Sequence, residues 1–319
     1  DYVKNIQRPD FIFDSLIYIF AVLDWNFQIF FFLIAVFIVY SVFIITDRIT
    51  NYSVFKKKII FITLFLIFSI SLQWLLSGAR FLFSGTFFLW GTYYVLFENS
   101  NLKGYVFFAI DFFTHFGLLY FIPAVLMCKF FPNANYKLIF VFSLSFLFLP
   151  KSIFTDLISS FGYTGVFESK IETYLFEKDV VAGYKERSLG GLIVYYVRTF
   201  WIYIVFFYFL WKQRDRYDEI LKKLILISLT FLNFTYFLPF IFYRYLSIIK
   251  IIFAIFIVNE LVKNYKHKAF YLFFGLFLLV YVVDVYLLRN NFAASLFKLE
   301  LFTSIGILFE KVTLDSVIR

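Results

Sequence analysis

Apolar residues run through this chain in blocks of about twenty, without the period-two alternation of half-buried strands. The blocks at 27–45, 59–77, 79–97, 191–211, 224–241, 245–262 and 270–288 each predict a helix long enough, or nearly so, to cross a bilayer core of roughly 30 Å. Residues 11–23 are too short for this and carry Asp14, which predicts an interfacial or re-entrant helix. Residues 104–131 and 137–150 are apolar but less regular, and the charges of the loops decide how to read them.

Three loops are rich in basic residues. Segment 46–58 holds Arg48, Lys56, Lys57 and Lys58; 212–223 holds Lys212, Arg214, Arg216, Lys222 and Lys223; 263–268 holds Lys263, Lys266 and Lys268. Short basic loops stay on the cytoplasmic side of a membrane, so all three belong there. Alternation from 46–58 then puts the turn near Ser77–Arg80 outside and 98–103 back inside. A single crossing by 104–131 would force 212–223 outside, against its charge. A hairpin that enters and leaves from the cytoplasm satisfies every basic loop. Each arm is about 14 residues, roughly 21 Å, so the apex at Thr114–Gly117 must be buried in protein or line a wet cavity. Arg80, His115, the polar segment 151–190 and Arg244 then all arrive at the external side.

Composition narrows the classes. Of 319 residues, 62% are hydrophobic and only 16% charged, too few polar groups to cover a water-facing globule of this size. That excludes a soluble enzyme, a disordered chain and a collagen-like fibre. Cys128, the only cysteine, excludes a disulfide scaffold, and continuous apolar runs exclude a membrane barrel. The net charge of +9 resides in loops, with no basic-aromatic face for nucleic acid. The expected fold is an all-α polytopic integral membrane protein with roughly ten membrane-embedded helices, including the short hairpin 104–131. A single transmembrane domain over 1–319 is expected, with 151–190 an extracytoplasmic loop and a further helix preceding Asp1.

Ionisable groups inside spans are costly and tend to face the bundle interior. Here they are Arg80, Asp111, His115, Arg198, Arg244 and Asp284. Position alone leaves Arg80, in GARFLFSG, open between an interfacial anchor and a functional cation. His115 lies deeper, and Asp111 four residues earlier shares its helical face if that arm is helical. A carboxylate there can fix the imidazole tautomer, as a general base requires; a hydrogen-bonded packing histidine is the plainer alternative. Arg244 lies between Tyr243 and Tyr245 after Pro239, a combination suited to forking onto phosphate oxygens and stacking on sugar rings, or to anchoring at the interface. Arg187 and Arg198 bracket the start of the span that follows the long polar segment. A P-loop, a dinucleotide fingerprint and a Cys/His metal cluster are all absent, so the expected chemistry uses neither cofactor nor metal and relies on arginines to neutralise leaving-group charge.

DWNFQIFFFLIAVFIVYSVF, SLQWLLSGARFLFSGTFFLWGTYYV and FFAIDFFTHFGLLYFIPAVL together resemble the EpsG family of bacterial polysaccharide polymerases, the Wzy-like enzymes. Arg80 matches the arginine of that family's R-Q-G pattern, with Phe81 and Leu82 in place of Gln-Gly. THFGLLYFIP is similar to its FHxSALIFLP phrase, placing His115 and Pro123, and YRYLSII resembles a late arginine-aromatic segment, placing Arg244. The resemblance implies a GT-C-like, metal-independent glycosyltransferase of the bacterial cytoplasmic (inner) membrane, active on its outer face. Donor and acceptor would be oligosaccharide repeat units on undecaprenyl diphosphate, and the product an O-antigen, capsule or exopolysaccharide. An acceptor hydroxyl would attack the donor anomeric carbon, with lipid diphosphate leaving. Arg80 and Arg244, with Arg187 or Arg198, would hold the diphosphate; His115, oriented by Asp111, would serve the acceptor, and a chain-length regulator and a flippase would be its protein partners. A transporter of lipid-linked glycans or a membrane-bound O-acyltransferase are the alternatives.

Overall fold

The computed structural model describes residues 11–54, 58–149, 199–207, 219–263 and 269–296, with the isolated positions 153 and 196. Among them every regular element is helical and none is a strand. The helices are α1 (Phe11–Val22), α2 (Phe27–Thr50), α3 (Ile59–Ser69), α4 (Leu72–Ser77), α5 (Ala79–Leu96), α6 (Asn101–Thr114), α7 (Ile122–Phe130), α8 (Tyr136–Ser143), α9 (Glu219–Phe234), α10 (Pro239–Lys263) and α11 (Ala269–Leu296). A helical stretch at 199–207 lies between α8 and α9. Two helices, Phe27–Thr50 and the stretch Ile241–Val262 of α10, are long and apolar enough to cross a membrane; several shorter ones are apolar. The chain divides into two compact units, residues 1–123 with 261–319, and residues 124–260.

In the first unit the α5–α6 hairpin carries the architecture. Its turn closes on Asn99 at φ 55°, a left-handed position that asparagine tolerates, with the Ser100 N–H donating to the Tyr94 carbonyl at 2.9 Å. Close approach follows from two glycines: a Cβ on Gly104 would lie 3.1 Å from the Gly91 carbonyl oxygen, and one on Gly91 would lie 2.5 Å from the Phe108 ring. Small residues at such a crossing let apolar helices pack backbone to backbone, where lipid gives no hydrophobic drive to associate. The antiparallel register then reads off the pairs: Gly91 against Gly104, Phe88 against Phe108, Ser84 against Asp111, Phe81 against His115.

α2 lies parallel to α5. Phe37 meets Phe83 and Phe87, and Arg48 lies over the Trp90 and Tyr93 rings at 5.2 and 5.8 Å. Arg48 and Lys103 thus share one end of this unit, and Lys58 joins Tyr271 at 5.7 Å. Arg80 and His115 occupy the opposite end of the hairpin. On its outer side α2 exposes Ile29, Phe32, Leu33, Val36 and Tyr40 at helical spacing, an apolar stripe suited to lipid and not to water.

Several helices differ from the spans expected. The run 59–77 is two helices, because Ile70 and Ser71 are extended and the Ser69 hydroxyl turns back to the Leu66 carbonyl at 2.6 Å. α2 continues to Thr50, stabilised by Thr46 and Thr50 hydroxyls bonded one turn back, and ends on Asn51 at φ 52°. α9 begins at Glu219, so Lys222 and Lys223 of the basic segment are helical, paired with Glu219 at 3.9 and 3.3 Å. It ends at Phe234, and α10 starts at Pro239, whose fixed φ suits a first helical position.

The 104–131 region is not one continuous helix. α6 ends at Thr114, His115 is extended, and residues Phe116–Phe121 form a 3-10 turn leading into α7. Phe121 returns to Phe88 at 6.3 Å, the residue that Phe108 also meets at 6.0 Å, so the chain has reversed direction about His115.

The second unit is built round α10, where consecutive residues from Ile248 to Val258 are buried on every side. Phe206 joins it to 199–207 and to α8 through Phe253 and Phe140. A buried polar chain ties three elements: the Tyr203 hydroxyl donates to Asn233 Oδ1 at 2.6 Å, and Asn233 Nδ2 to Ser143 Oγ at 2.8 Å. Buried polar groups in an apolar setting need such partners.

Candidate functional site

The N-terminus of α5, the C-terminus of α6 and helix α1 together form the candidate site. α5 starts after Gly78, where the Trp74 ring lies so close that a Cβ would approach it to 2.7 Å. Arg80 follows in the first turn. Its Nη2 lies 3.4 Å from Asp14 Oδ1, and its guanidinium carbon is 5.2 Å from the centre of the Phe13 ring. Asp14 is buried and the Arg80 side chain about one-third exposed, so the pair sits at a boundary and not in the core. The sequence marked Asp14 only as a charge that shortened an apolar run. Nothing local signals its partner, which lies 66 positions further along the chain.

One turn after Arg80, Ser84 faces α6. Its hydroxyl bonds the Asp111 carboxylate and lies 3.1 Å from the Asp111 carbonyl and 3.4 Å from that of His115. Asp111 is fully buried, and its Oδ2 has no hydrogen-bond partner among the described residues. The four-residue spacing suggests a direct carboxylate–imidazole pair, but α6 ends one residue short of His115, which takes φ −163°. Asp111 therefore reaches His115 through Ser84 and through the backbone, its carbonyl accepting the His115 N–H at 2.8 Å. Ser84 is the residue that sequence reasoning missed, because a lone hydroxyl in an apolar helix usually bonds its own preceding turn.

The His115 ring is fixed by its surroundings. It meets Phe81 edge-on at 5.9 Å and Phe116 at 5.8 Å, and it folds over Gly117, where a Cβ would lie 3.1 Å from Nε2. Phe81 adjoins Arg80 in sequence, so the arginine and the imidazole share one end of the hairpin. Ser84→Ala is expected to cost about 1–3 kcal/mol by leaving the Asp111 carboxylate unpaired in the core. Thermal unfolding of the detergent-solubilised chain measures it, and an unchanged midpoint would count against this role.

Arg244 belongs to the second unit, in the second turn of α10 and half-buried; its carbonyl accepts the Ser247 hydroxyl at 2.6 Å. Tyr243 shares a 3.0 Å hydrogen bond with Thr199, and Tyr245 is buried. The sequence grouped these three residues, and the fold places them on one helix next to 199–207. Lys250 is a further charge, overlooked within an apolar run: it is buried in α10 with Nζ 6.0 Å from the Trp201 ring. Arg187, Arg198 and nearly all of segment 151–190 lie outside the described residues. Among the described residues no three His, Cys, Asp or Glu side chains converge as metal ligands would.

The EpsG family model matches residues 1–300, which include every residue named above as a candidate. The chain belongs to the EpsG family. It is thus a member of a membrane protein family linked to exopolysaccharide biosynthesis, as its apolar helices and the lipid-suited face of α2 agree. No curated protein and no solved structure matches it. Arg80 lies in the first turn of α5 and His115 directly follows the end of α6, both within the matched residues.

Proposed function

We propose that this EpsG-family chain is a glycosyltransferase of the bacterial inner membrane that polymerises oligosaccharide repeat units carried on undecaprenyl diphosphate, with a GT-C-like bundle of roughly ten membrane-embedded helices. The observation that supports it most is that Arg80 and His115 lie at the same end of the α5–α6 hairpin, where Phe81, next to Arg80, meets the His115 ring, opposite the end that holds Arg48 and Lys103. If the basic end is cytoplasmic, the site faces the outer side.

In this reading an acceptor sugar hydroxyl attacks the donor anomeric carbon. The new C–O bond forms as the bond from that carbon to the diphosphate oxygen breaks, its electron pair leaving on the lipid diphosphate. His115 takes the hydroxyl proton as general base. Arg80 faces the leaving diphosphate, where a guanidinium offers paired donors to phosphate oxygens and offsets the developing charge. Extended backbone at His115 frees the ring from the helical face and seats it over Gly117, and the buried Asp111–Ser84 link holds that backbone in place. Arg244 with Tyr243 and Tyr245 is assigned to substrate binding, as are Arg187 and Arg198, with segment 151–190 gripping the glycan. A flippase supplying the lipid-linked units and a chain-length regulator are the protein partners this role would require.

Polymer length in cells producing Arg80→Ala, His115→Ala or Arg244→Ala, read as ladders on gels, tests the assignment. Each is expected to shorten or abolish the ladder, provided the variant reaches the membrane at normal level. Near-normal ladders in all three would refute it.

A further inference from the structure

The ion pair between Asp14 and Arg80 has no place in the reaction drawn above, yet it lies at its centre. α1 has ring contacts besides this pair: Phe11 meets Phe113 at 5.0 Å, Phe13 meets Phe30 at 5.6 Å and Phe83 at 6.1 Å, and Phe20 meets Phe30 at 4.8 Å. These contacts help to hold the carboxylate of a buried Asp14 beside the guanidinium. The approach to Asp14 is long, 3.4 Å from Nη2 to Oδ1, longer than the short charge-assisted bonds of a tight guanidinium–carboxylate pair. The Phe13 ring meanwhile covers one face of the guanidinium at 5.2 Å.

We infer that Asp14 is a counter-carboxylate, competing with the substrate's diphosphate for Arg80 so that the lipid diphosphate product is held weakly enough to leave. This inference rests on the assignment of Arg80 to the diphosphate. Any anion that reaches the guanidinium comes within a few ångströms of a fixed negative charge, at a membrane boundary where screening is weaker than in water. Repulsion raises the dissociation constant of a doubly charged ligand more than that of a neutral sugar. For a polymerase, each cycle ends with lipid diphosphate that must depart before the next donor enters. Tight product binding would make release the slow step. Asp14 thus sets specificity between tight and usable binding without touching the reacting atoms, as a positioning residue acting through Arg80.

Calorimetric binding of farnesyl diphosphate, a short prenyl diphosphate, to the full chain in detergent micelles tests this. Asp14→Asn is expected to bind about fivefold tighter than the unaltered chain, the upper range for one partly exposed ion pair, and Asp14→Glu to bind within about twofold of it. Arg80→Gln should bind about tenfold more weakly. In the double variant Asp14→Asn with Arg80→Gln, the gain from Asn should vanish, because its effect passes through the arginine. Should Asp14→Asn not fold, Asp14→Leu removes the same charge without a polar atom and carries the same expectation. With Arg80→Gln weakened as expected, unchanged or weaker binding by the neutral Asp14 variant overturns the inference and leaves the diphosphate assignment standing. A gain that persists in the double variant also overturns it. Normal binding by Arg80→Gln overturns the diphosphate assignment itself.

Discussion

His115→Ala is expected to slow glycosyl transfer by about two to four orders of magnitude, the range a well-placed general base contributes. Farnesyl diphosphate binding should stay within about threefold of the unaltered chain, because the proposed role puts the imidazole on the acceptor and not on the leaving group. The structure makes this substitution a clean one. The ring is only half-buried, and it sits in extended backbone beyond the end of α6, so its loss opens no large core cavity. Phe81 and Phe116 pack against it edge-on and retain their other neighbours. Single-turnover transfer by purified protein measures the effect. A loss confined to binding, or no loss, would assign the histidine to packing.

Gly104→Val should produce the largest structural effect, at least about 3 kcal/mol, with most of the protein lost before solubilisation. Its Cβ would meet the Val95 side chain, the Gly91 carbonyl at 3.1 Å and the Val95 nitrogen at 3.3 Å. Two of those three neighbours are backbone and cannot turn aside, so the helices must separate, which costs more than ordinary overpacking. Separation at Gly91–Gly104 would propagate down the hairpin to Ser84–Asp111 and Phe81–His115, since one register holds all of these pairs. Gly275→Ala is the control: a Cβ there meets nothing within 4 Å, and the helix should gain slightly. Monodispersity after heating, followed by size-exclusion chromatography, would show the contrast; equal midpoints for both variants would contradict the close approach.

How much of this was legible in the sequence follows from the range of the forces involved. Apolar runs and basic loops are local signals, and they located α2, α5 and α11 and the chain reversal at His115. Breaks inside continuous apolar sequence were not legible. Ile70 and Ser71 interrupt 59–77 without a proline or glycine, and the Ser69 hydroxyl that turns back to Leu66 at the break is a weak signal in sequence. The Asp111–His115 spacing assumed one more helical residue than the chain forms. Asp14 and Ser84 were hidden for a different reason. Each acts through a partner on another helix, and a single sequence carries no trace of which distant residue it meets. Lys250 was overlooked because one cation in a long apolar run barely changes the pattern, although burial makes it conspicuous in three dimensions.

Whether the Arg80–His115 end of the hairpin performs glycosyl transfer is open to direct measurement. The direct measurement uses the purified chain in bilayer vesicles with a synthetic repeat unit on a prenyl diphosphate, and counts prenyl diphosphate released per unit added to the glycan. The expected result is one released for each unit added, with both signals lost together in Arg80→Ala and His115→Ala. Elongation that continues undiminished in both variants would contradict it.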